Sequence, residues 1–408
     1  MTAREYPVFT VTPKAERSLR AGHPWVYGEE VTVVEGAYQN GDMVDVVSNK
    51  GRYLGTGWVN DHSKIRVRII SRNANDTFDE AFFRRRVCYA LNYRKTVMGP
   101  VDYRCCRLIF GEADQFPGLT VDRFENILVT QVLSLGMERR KDWVYRALVE
   151  LLREDDEQID AIYERNDVAI RTLEGLEQGK GFYQMEGLKT DLSGHVTITE
   201  NGIKYDVDYI EGQKTGFFLD QKYNRQAAAK LARGRRVLDC FTHTGAFALN
   251  AAAAGAEHVT AVDVSAFALE LAAENGKRNG LTNLDYKCAD VFDLLTEMAK
   301  EKKCDYDYII LDPPAFTKSR ATAKNAYHGY KEINRKAMRL LPRGGYLATC
   351  SCSHFMTDEM FRKMLQEAAL DAGVTLRQIE ARQQAPDHPI LPEVPETDYL
   401  KFYLLQVV

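Results

Sequence analysis

The sequence predicts an α/β fold, and three observations carry that prediction. From residue 236 onward, apolar and β-branched runs alternate with helical stretches, the pattern of a parallel, doubly wound sheet. The first 75 residues instead hold short strands separated by Gly, Asn and Asp turns, which read as a compact barrel or sandwich. Between these regions, long helical stretches mix with strands in an α+β insert. At 408 residues the chain is long enough for three such units, each able to bury a core without metal or disulfide staples.

Composition narrows the class. Lys+Arg 54 against Asp+Glu 58 gives a net charge of −4, with 45% hydrophobic residues, which excludes collagen, coiled coil and wholesale disorder. There is no run of 18 apolar residues, and MTAREYPVFT lacks the pattern of a secretion signal, so a cytoplasmic location and no membrane partner are expected. The eight cysteines, Cys88, Cys105, Cys106, Cys240, Cys288, Cys304, Cys350 and Cys352, show no CxxC pair or zinc spacing. They read as reduced thiols, with no metal site. Between His62 and Arg107 there are 11 basic residues and 4 acidic ones. This stretch is either a basic surface for a polyanion or an ordinary solvated helix face.

In residues 1–75 the strand candidates are VFTVTP, DMVDVVSN, YLGTGWVN and KIRVRIIS. Trp25 and Trp58 fall here, either to stack on bases beside Arg or to fill a small core. Residues 76–185 carry helices FDEAFFRRRVCYALNYRK and ERRKDWVYRALVELLRE. Strands are expected around RLIFGEADQFPGLTVDR, NILVTQVLS and AIYERND. The LIFGEADQFPGL loop, with Glu112 and Asp114, reads as a turn and is assigned no chemistry. Residues 186–408 open with a hairpin, because VTIT and IKYDVDY flank Asn201-Gly202. The strands RRVLDCF, HVTAVDV, LDYKCAD, YDYIILDPP and GGYLATCSCS follow, each joined to the next by a helix. Ligands of such sheets sit at the carboxyl ends of the strands.

Four of those ends carry carboxylates: Asp239, Asp263, Asp290 and Asp312. A dinucleotide site would place GxGxxG after the first strand, whereas the turn here, DCFTHTGAF, has one glycine, Gly245, and an aspartate entering the loop. An anion would meet Asp239, so a cationic or neutral group fits better. Asp263 follows 24 positions later, near the roughly 20-residue offset at which a carboxylate accepts from ribose hydroxyls. Asp290 can accept from an adenine amine. Together these describe an adenosine with a positively charged tail, S-adenosylmethionine. Taken singly, each aspartate could equally cap a helix.

The motifs DCFTHTGAF, AVDVS, CAD and LDPPAF, in that order, resemble those of class I methyltransferases acting on RNA. KTGFFLDQKYNR is similar to the segment such enzymes fold over the methionine end of the cofactor. With GHPWVY near the start and CSCSHFM on the fifth strand, the whole chain resembles the bacterial PUA-bearing family of large-subunit rRNA 5-methylcytosine methyltransferases. The resemblance implies an N-terminal PUA-like β-barrel, a central α+β domain and a C-terminal Rossmann-like class I methyltransferase domain. It also implies 23S rRNA as partner. It places the cofactor on Phe218, Asp220, Gln221, Arg225, Asp239, Phe241, Thr242, Gly245, Asp263, Val264, Asp290 and Pro313. No motif specifies the oligomeric state, and a homodimer is the assembly carried forward.

The residue pattern leaves two acceptors open. Nitrogen methyltransferases often follow the fourth strand with a polar residue, two prolines and an aromatic; here Asp312, Pro313 and Pro314 precede Ala315, and Phe316 comes one place later. Carbon 5 of a pyrimidine is a poor nucleophile until a thiolate adds to carbon 6, which requires a cysteine. Cys350 and Cys352, two apart on the fifth strand, are the candidates. The resemblance aligns Cys352 with the nucleophile and leaves Cys350 as a neighbour, expected to be a small core residue. Asp312 is the general-acid candidate. His354, Lys318 or a water could remove the C5 proton. Asp387 and His388 in QAPDHPI read as a turn. A third reading, a non-catalytic RNA-binding factor, fits poorly with four intact strand-end aspartates.

Overall fold

The computed structural model describes residues 5–301, 304–317 and 322–408. The chain forms two compact units that alternate along the sequence. The first gathers the residues up to Ile198 with Val207–Leu219 and Pro386–Thr397; the second gathers Thr199–Asp206, Asp220–Ala385 and Asp398–Val408. Among the described residues no helix is long and apolar enough to cross a membrane. All eight cysteines are free thiols.

The first unit begins with a six-stranded sheet: β1 (Val8–Val11), β2 (Trp25–Tyr27), β3 (Val31–Glu35), β4 (Met43–Ser48), β5 (Tyr53–Val59) and β6 (Ile65–Ser71), in the order β2-β6-β5-β4-β1-β3. Phe9, Val11, Val44, Val46, Val59 and Val67 fill its core, as their placement on β-branched strands leads one to expect. Helix α1 (Pro13–Arg20) starts on Thr12, whose hydroxyl accepts from the Ala15 amide, with Pro13 at the first helical position. A second sheet follows, built from β7 (Cys105–Phe110), β8 (Leu119–Phe124), β9 (Ile127–Val132), β10 (Ala161–Asn166) and β11 (Gly179–Phe182), in the order β11-β10-β9-β8-β7. Its helices are α2 (Glu80–Val97), α3 (Leu135–Glu138) and α4 (Lys141–Glu154). The short β11, GKGF, lacks a β-branched signature and escapes the sequence reading.

The basic stretch is largely neutralised. Eight of its eleven cations pair with carboxylates: Arg66 with Asp61, Arg68 with Glu112 and Glu174, Arg84 with Glu150 and Glu154, Arg85 with Asp76, Arg94 with Asp114, Lys95 with Asp155, Arg104 with Glu125, and Arg107 with Asp122. Glu112 and Asp114 therefore do more than turn the chain. Glu112 also accepts from the Trp25 indole at 3.0 Å, and Asp114 takes both terminal nitrogens of buried Arg94. Asp387 and His388 are likewise more than a turn. The buried Asp387 accepts from the Arg107 amide at 2.8 Å and from His388 Nδ1 at 2.9 Å. Trp58 is buried beneath the Arg140 guanidinium, 5.7 Å from its ring, and is a packing residue rather than an exposed stacking surface.

The expected hairpin is present, β12 (His195–Glu200) with β13 (Ile203–Asp208), and the boundary between the two units passes through it. Asn201 and Gly202 have φ of 53° and 79°, the left-handed values a two-residue hairpin turn demands at both positions. The Asn201 amide also donates to the carbonyl of Lys222 at 2.9 Å, which ties the tip to the second unit's own chain.

The second unit is a seven-stranded sheet of β14 (Arg236–Cys240), β15 (His258–Asp263), β16 (Leu284–Cys288), β17 (Tyr308–Leu311), β18 (Tyr346–Ser351), β19 (Leu376–Arg382) and β20 (Lys401–Val407), in the order β16-β15-β14-β17-β18-β20-β19. The first five strands are parallel, as expected from the alternation. The last two are not: β20 runs antiparallel to both β18 and β19. Helices α5 (Lys222–Ala229), α6 (Ala246–Ala253), α7 (Ala266–Arg278), α8 (Val291–Glu301), α9 (Ala323–Leu340) and α10 (Asp358–Ala372) cover the sheet. Two cores result. Ala227, Ala228, Phe247, Ala248 and Ala251 from α5 and α6 pack with Val237, Ile310 and Phe402; Leu295, Tyr330, Ile333, Met338 and Phe361 from α8, α9 and α10 pack with Leu238, Ile309 and Leu347.

Candidate active site

The strand order reverses at β14, whose neighbours are β15 and β17, and a crevice at the carboxyl ends of such strands is where a doubly wound sheet binds ligands. Asp239 is fully buried there. Its Oδ2 accepts from Thr242 Oγ1 at 2.5 Å and from the Ala248 amide at 2.9 Å, while Oδ1 is buried with no hydrogen-bond partner among the described residues. Burial pushes the Asp239 pKa up to about 7, with Asp312 and Asp263 reinforcing and its two hydrogen bonds opposing. A buried acceptor left open costs about 1–3 kcal/mol, so an ammonium from a ligand fits this atom.

Asp263 ends β15. Its Oδ2 accepts from the His243 amide and its Oδ1 from the Ser265 amide, both at 2.9 Å, and each oxygen keeps a lone pair that a hydroxyl could address. Val264 beside it is 72% exposed. Asp290 lies two residues past β16 and caps α8, its Oδ1 accepting from the Asp293 amide at 3.1 Å, which leaves Oδ2 for an exocyclic amine. Between β14 and α6 the loop stores strain: Phe241 and His243 sit at φ of 64° and 52°, roughly 1–2 kcal/mol each for residues with a Cβ. Gly245, at φ 84°, could carry no side chain, because a Cβ would come within 2.9 Å of Ala272 Cβ.

The reacting groups gather at β17 and β18. Asp312 is the first residue after β17. Gln221 Nε2 donates to its Oδ1 at 3.0 Å, and the Cys350 thiol lies on the same carboxyl's buried side, close enough for each to shift the other's ionisation. Enclosure of that carboxyl pushes its pKa up to about 6, although the residue keeps some surface in contact with solvent. Arg225 pulls it down and Asp220 pushes it up. Cys350 is buried on β18, and burial, then Asp312, raises its thiol well above the ordinary value. It belongs to the core that packs Phe247, Ile310 and Phe402, as a small core residue should. Cys352 lies just past the last residue of β18 and is partly exposed, with Sγ 4.0 Å from the Pro313 carbonyl. The two thiols thus take different places, one behind Asp312 and one beside the Asp-Pro-Pro turn.

Phe316 is turned into the core. Its ring centroid is 4.5 Å from that of Tyr330 and 5.8 Å from that of Phe292. His354 Nδ1 is buried with no hydrogen-bond partner among the described residues, and Lys318 lies outside the described residues. In the KTGFFLDQKYNR segment, Asp220 accepts from the Tyr399 hydroxyl at 2.6 Å, and Arg225 forms a buried pair with Glu200 at 2.5 Å. Phe218 belongs to the first unit, with Lys214 Nζ 4.5 Å from its ring centroid. Pro313 is buried.

The sequence reading missed Glu200, the partner of Arg225, and Lys401, which is buried at the start of β20. Lys401 Nζ donates to the carbonyls of Ser353 at 2.7 Å and Tyr399 at 2.8 Å. A single charge inside the apolar run LKFYLLQVV is the signal that could have found it. Among the described residues no group of three His, Cys, Asp or Glu side chains is disposed to hold a metal ion.

Comparison with known proteins identifies the family of the domain that carries these residues. Residues 9–72 match a PUA-like domain, and residues 182–405 match the family described as S-adenosylmethionine-dependent methyltransferase. A ribosomal RNA large subunit methyltransferase I from Pseudoalteromonas atlantica is 40% identical over 98% of this chain and 99% of its own. The protein of the same name from Aeromonas salmonicida is 42% identical over 95% of this chain and 96% of its own. Among solved structures, a SAM-dependent methyltransferase from Streptococcus mutans superposes with a TM-score of 0.81 at 22% identity, covering 98% of this chain and all of that one. A methyltransferase complexed with SAH gives 0.82 at 22% identity, with the same two coverages.

Proposed function

We propose, for a chain that belongs to the ribosomal RNA large subunit methyltransferase I family and carries its S-adenosylmethionine-dependent methyltransferase domain, that it methylates carbon 5 of a cytosine in 23S rRNA. S-adenosylmethionine supplies the methyl group as an electrophilic sulfonium. Asp239 takes its ammonium, Asp263 its ribose and Asp290 its adenine amine, while the Gly245 turn lets the backbone come close.

Cys352 is the nucleophile. Its thiolate adds to C6 of the cytosine as the protonated Asp312 delivers a proton to N3, which turns the ring into an enamine with electron density at C5. Once C5 is alkylated, loss of its proton to a base expels the thiolate, and N3 returns its proton to the Asp312 carboxylate, which restores the aromatic ring and the acid. The observation that carries the reading is the Cys352 sulfur against the Pro313 carbonyl, one residue from a carboxyl whose pKa of about 6 keeps part of it protonated near neutrality. A nitrogen acceptor, on guanine or adenine, is the reading that DPPAF invites. It would want an aromatic ring presented to the base, and the packing of Phe316 on Tyr330 weighs against it. A homodimer and a cytoplasmic location complete the proposal, and sedimentation equilibrium decides the first.

The test is covalent trapping. With rRNA carrying 5-fluorocytidine at the target, fluorine at C5 blocks the final elimination, so the wild-type enzyme should accumulate an adduct on Cys352. Cys352→Ala and Cys352→Ser should form none and lose turnover while still binding S-adenosylmethionine. An active Cys352→Ala enzyme would discard the carbon mechanism and bring back the nitrogen acceptor.

A further inference from the structure

We propose that Lys401 is a positioning residue for the reacting thiol: its ammonium pins the turn that carries Cys352 and supplies the positive charge beside which the Cys352 thiolate forms. This rests on the reading of Cys352 as nucleophile. A cysteine thiol with an ordinary pKa of about 8.5 is mostly protonated at neutral pH, and catalytic cysteines gain their thiolate from a neighbouring cation or base.

The geometry singles out Lys401. In the β18–β20 ladder Lys401 lies opposite Ser351, and its side chain reaches past the strand end to the carbonyl of Ser353 at 2.7 Å. Its backbone register and its ammonium therefore bracket Cys352 on both sides. The residue is 4% exposed, between buried Leu400 and Phe402. Burying an ammonium is costly unless something nearby uses the charge, and two carbonyls satisfy only two of its three N–H donors. No carboxylate among the described residues forms an ion pair with it. Arg225, another buried cation of this unit, is held by Glu200.

The surrounding groups give the charge its role. Asp398 lies just before β20, Asp358 begins α10, Tyr330 comes from α9, and Cys350 and Asp312 stand on the sheet side. The carboxylates among them oppose a thiolate, and Lys401 offsets them. Burial lowers the Lys401 ammonium to about 8, against Asp398, Cys352 and Asp358, which raise it, so at neutral pH it remains mostly charged.

Site-resolved mass spectrometry of full-length protein pulsed with iodoacetamide from pH 5.5 to 9.5 reads Cys352 ionisation without requiring methyl transfer. Wild-type Cys352 should alkylate with a midpoint at least about one pH unit below the ordinary 8.5. Lys401→Met should raise that midpoint by about one unit or more, slowing modification at pH 7 roughly tenfold, whereas Lys401→Arg, which keeps the charge, should stay near wild type. Cofactor binding by calorimetry checks that the variants are folded. A wild-type midpoint at or above about 8.5 overturns the proposal without any variant, and so does a folded Lys401→Met protein whose midpoint is unchanged. Should Cys352→Ala remain active while these shifts appear, the nucleophile reading fails and the thiol–ammonium pair stands.

Discussion

Asp239 is held as an acid that a cationic ligand must ionise. With its pKa near 7 against about 3.9 for a free aspartate, the carboxyl is mostly protonated at pH 5 and offers no charge to an ammonium. Affinity for S-adenosylmethionine should therefore rise at least tenfold between pH 5 and pH 7, with proton release on binding. Calorimetry in buffers of different ionisation enthalpy measures both, and a flat profile would mean that Asp239 does not face the ammonium. The same raised values at Asp239 and Asp312 mean that the cofactor-free fold binds more protons than the unfolded chain between about pH 4 and 7. Their contribution to stability is present below that window and is lost as pH rises through it. The positions of Asp239, Asp263 and Asp290 at or just past the carboxyl ends of β14, β15 and β16 were open to sequence reasoning because the alternation of strands and helices fixes where each strand ends. The usual strand order also sets the fifth strand beside the fourth, as β18 is beside β17; that Cys350 and not Cys352 would lie behind the Asp312 carboxyl was not legible, because Cys352 falls just past the strand end.

At the scale of elements, the parallel core was legible wherever hydrophobic alternation and β-branching agreed, from Arg236–Cys240 to Tyr346–Ser351. The antiparallel pair β19 and β20 was not, because LRQIEAR alternates as an exposed edge does and the apolar KFYLLQV says nothing of strand direction. Close approach between elements was equally hidden. Gly136 on α3 lies flat on the Trp58 indole, and a Cβ there would come within 1.9 Å of Trp58 Cγ. Neither ring nor short helix can give way inside a packed core, so Gly136→Ala should cost at least about 2–3 kcal/mol, read as a lower midpoint in urea unfolding. A loss below about 0.5 kcal/mol, within the usual range for surface substitutions, would show that α3 moves freely off the ring.

For the molecule as a whole, charge counted along the sequence overstated charge available at the surface. Eight cations of the His62–Arg107 stretch are paired with carboxylates drawn from as far as Glu174. Replacing Arg84, Arg85 and Lys95 together by Gln should leave affinity for an rRNA fragment within about threefold of wild type. A tenfold loss, with a salt slope shallower by about two to three, would show that these pairs open to receive phosphates. Removing residues 1–75 is a poor test of RNA binding, because it strips Asn60, Ser63 and Arg68 from the buried carboxylate of Glu174.

The alternation of the chain between its two units bears on descent as well as on stability. The catalytic unit is written in three separate stretches, and Val207–Leu219 and Pro386–Thr397 of its companion lie between them. A single recombination joining the front of one relative to the back of another near residue 186 would thus import two foreign passengers into the first unit. Such hybrids should survive only where the passengers still suit their hosts, as Asp387 must still receive the amide of Arg107. The PUA-like sheet, the insert and the catalytic sheet are therefore expected to be inherited together, and a viable chimera would require the crossovers to be placed around the passengers, not at the apparent linkers.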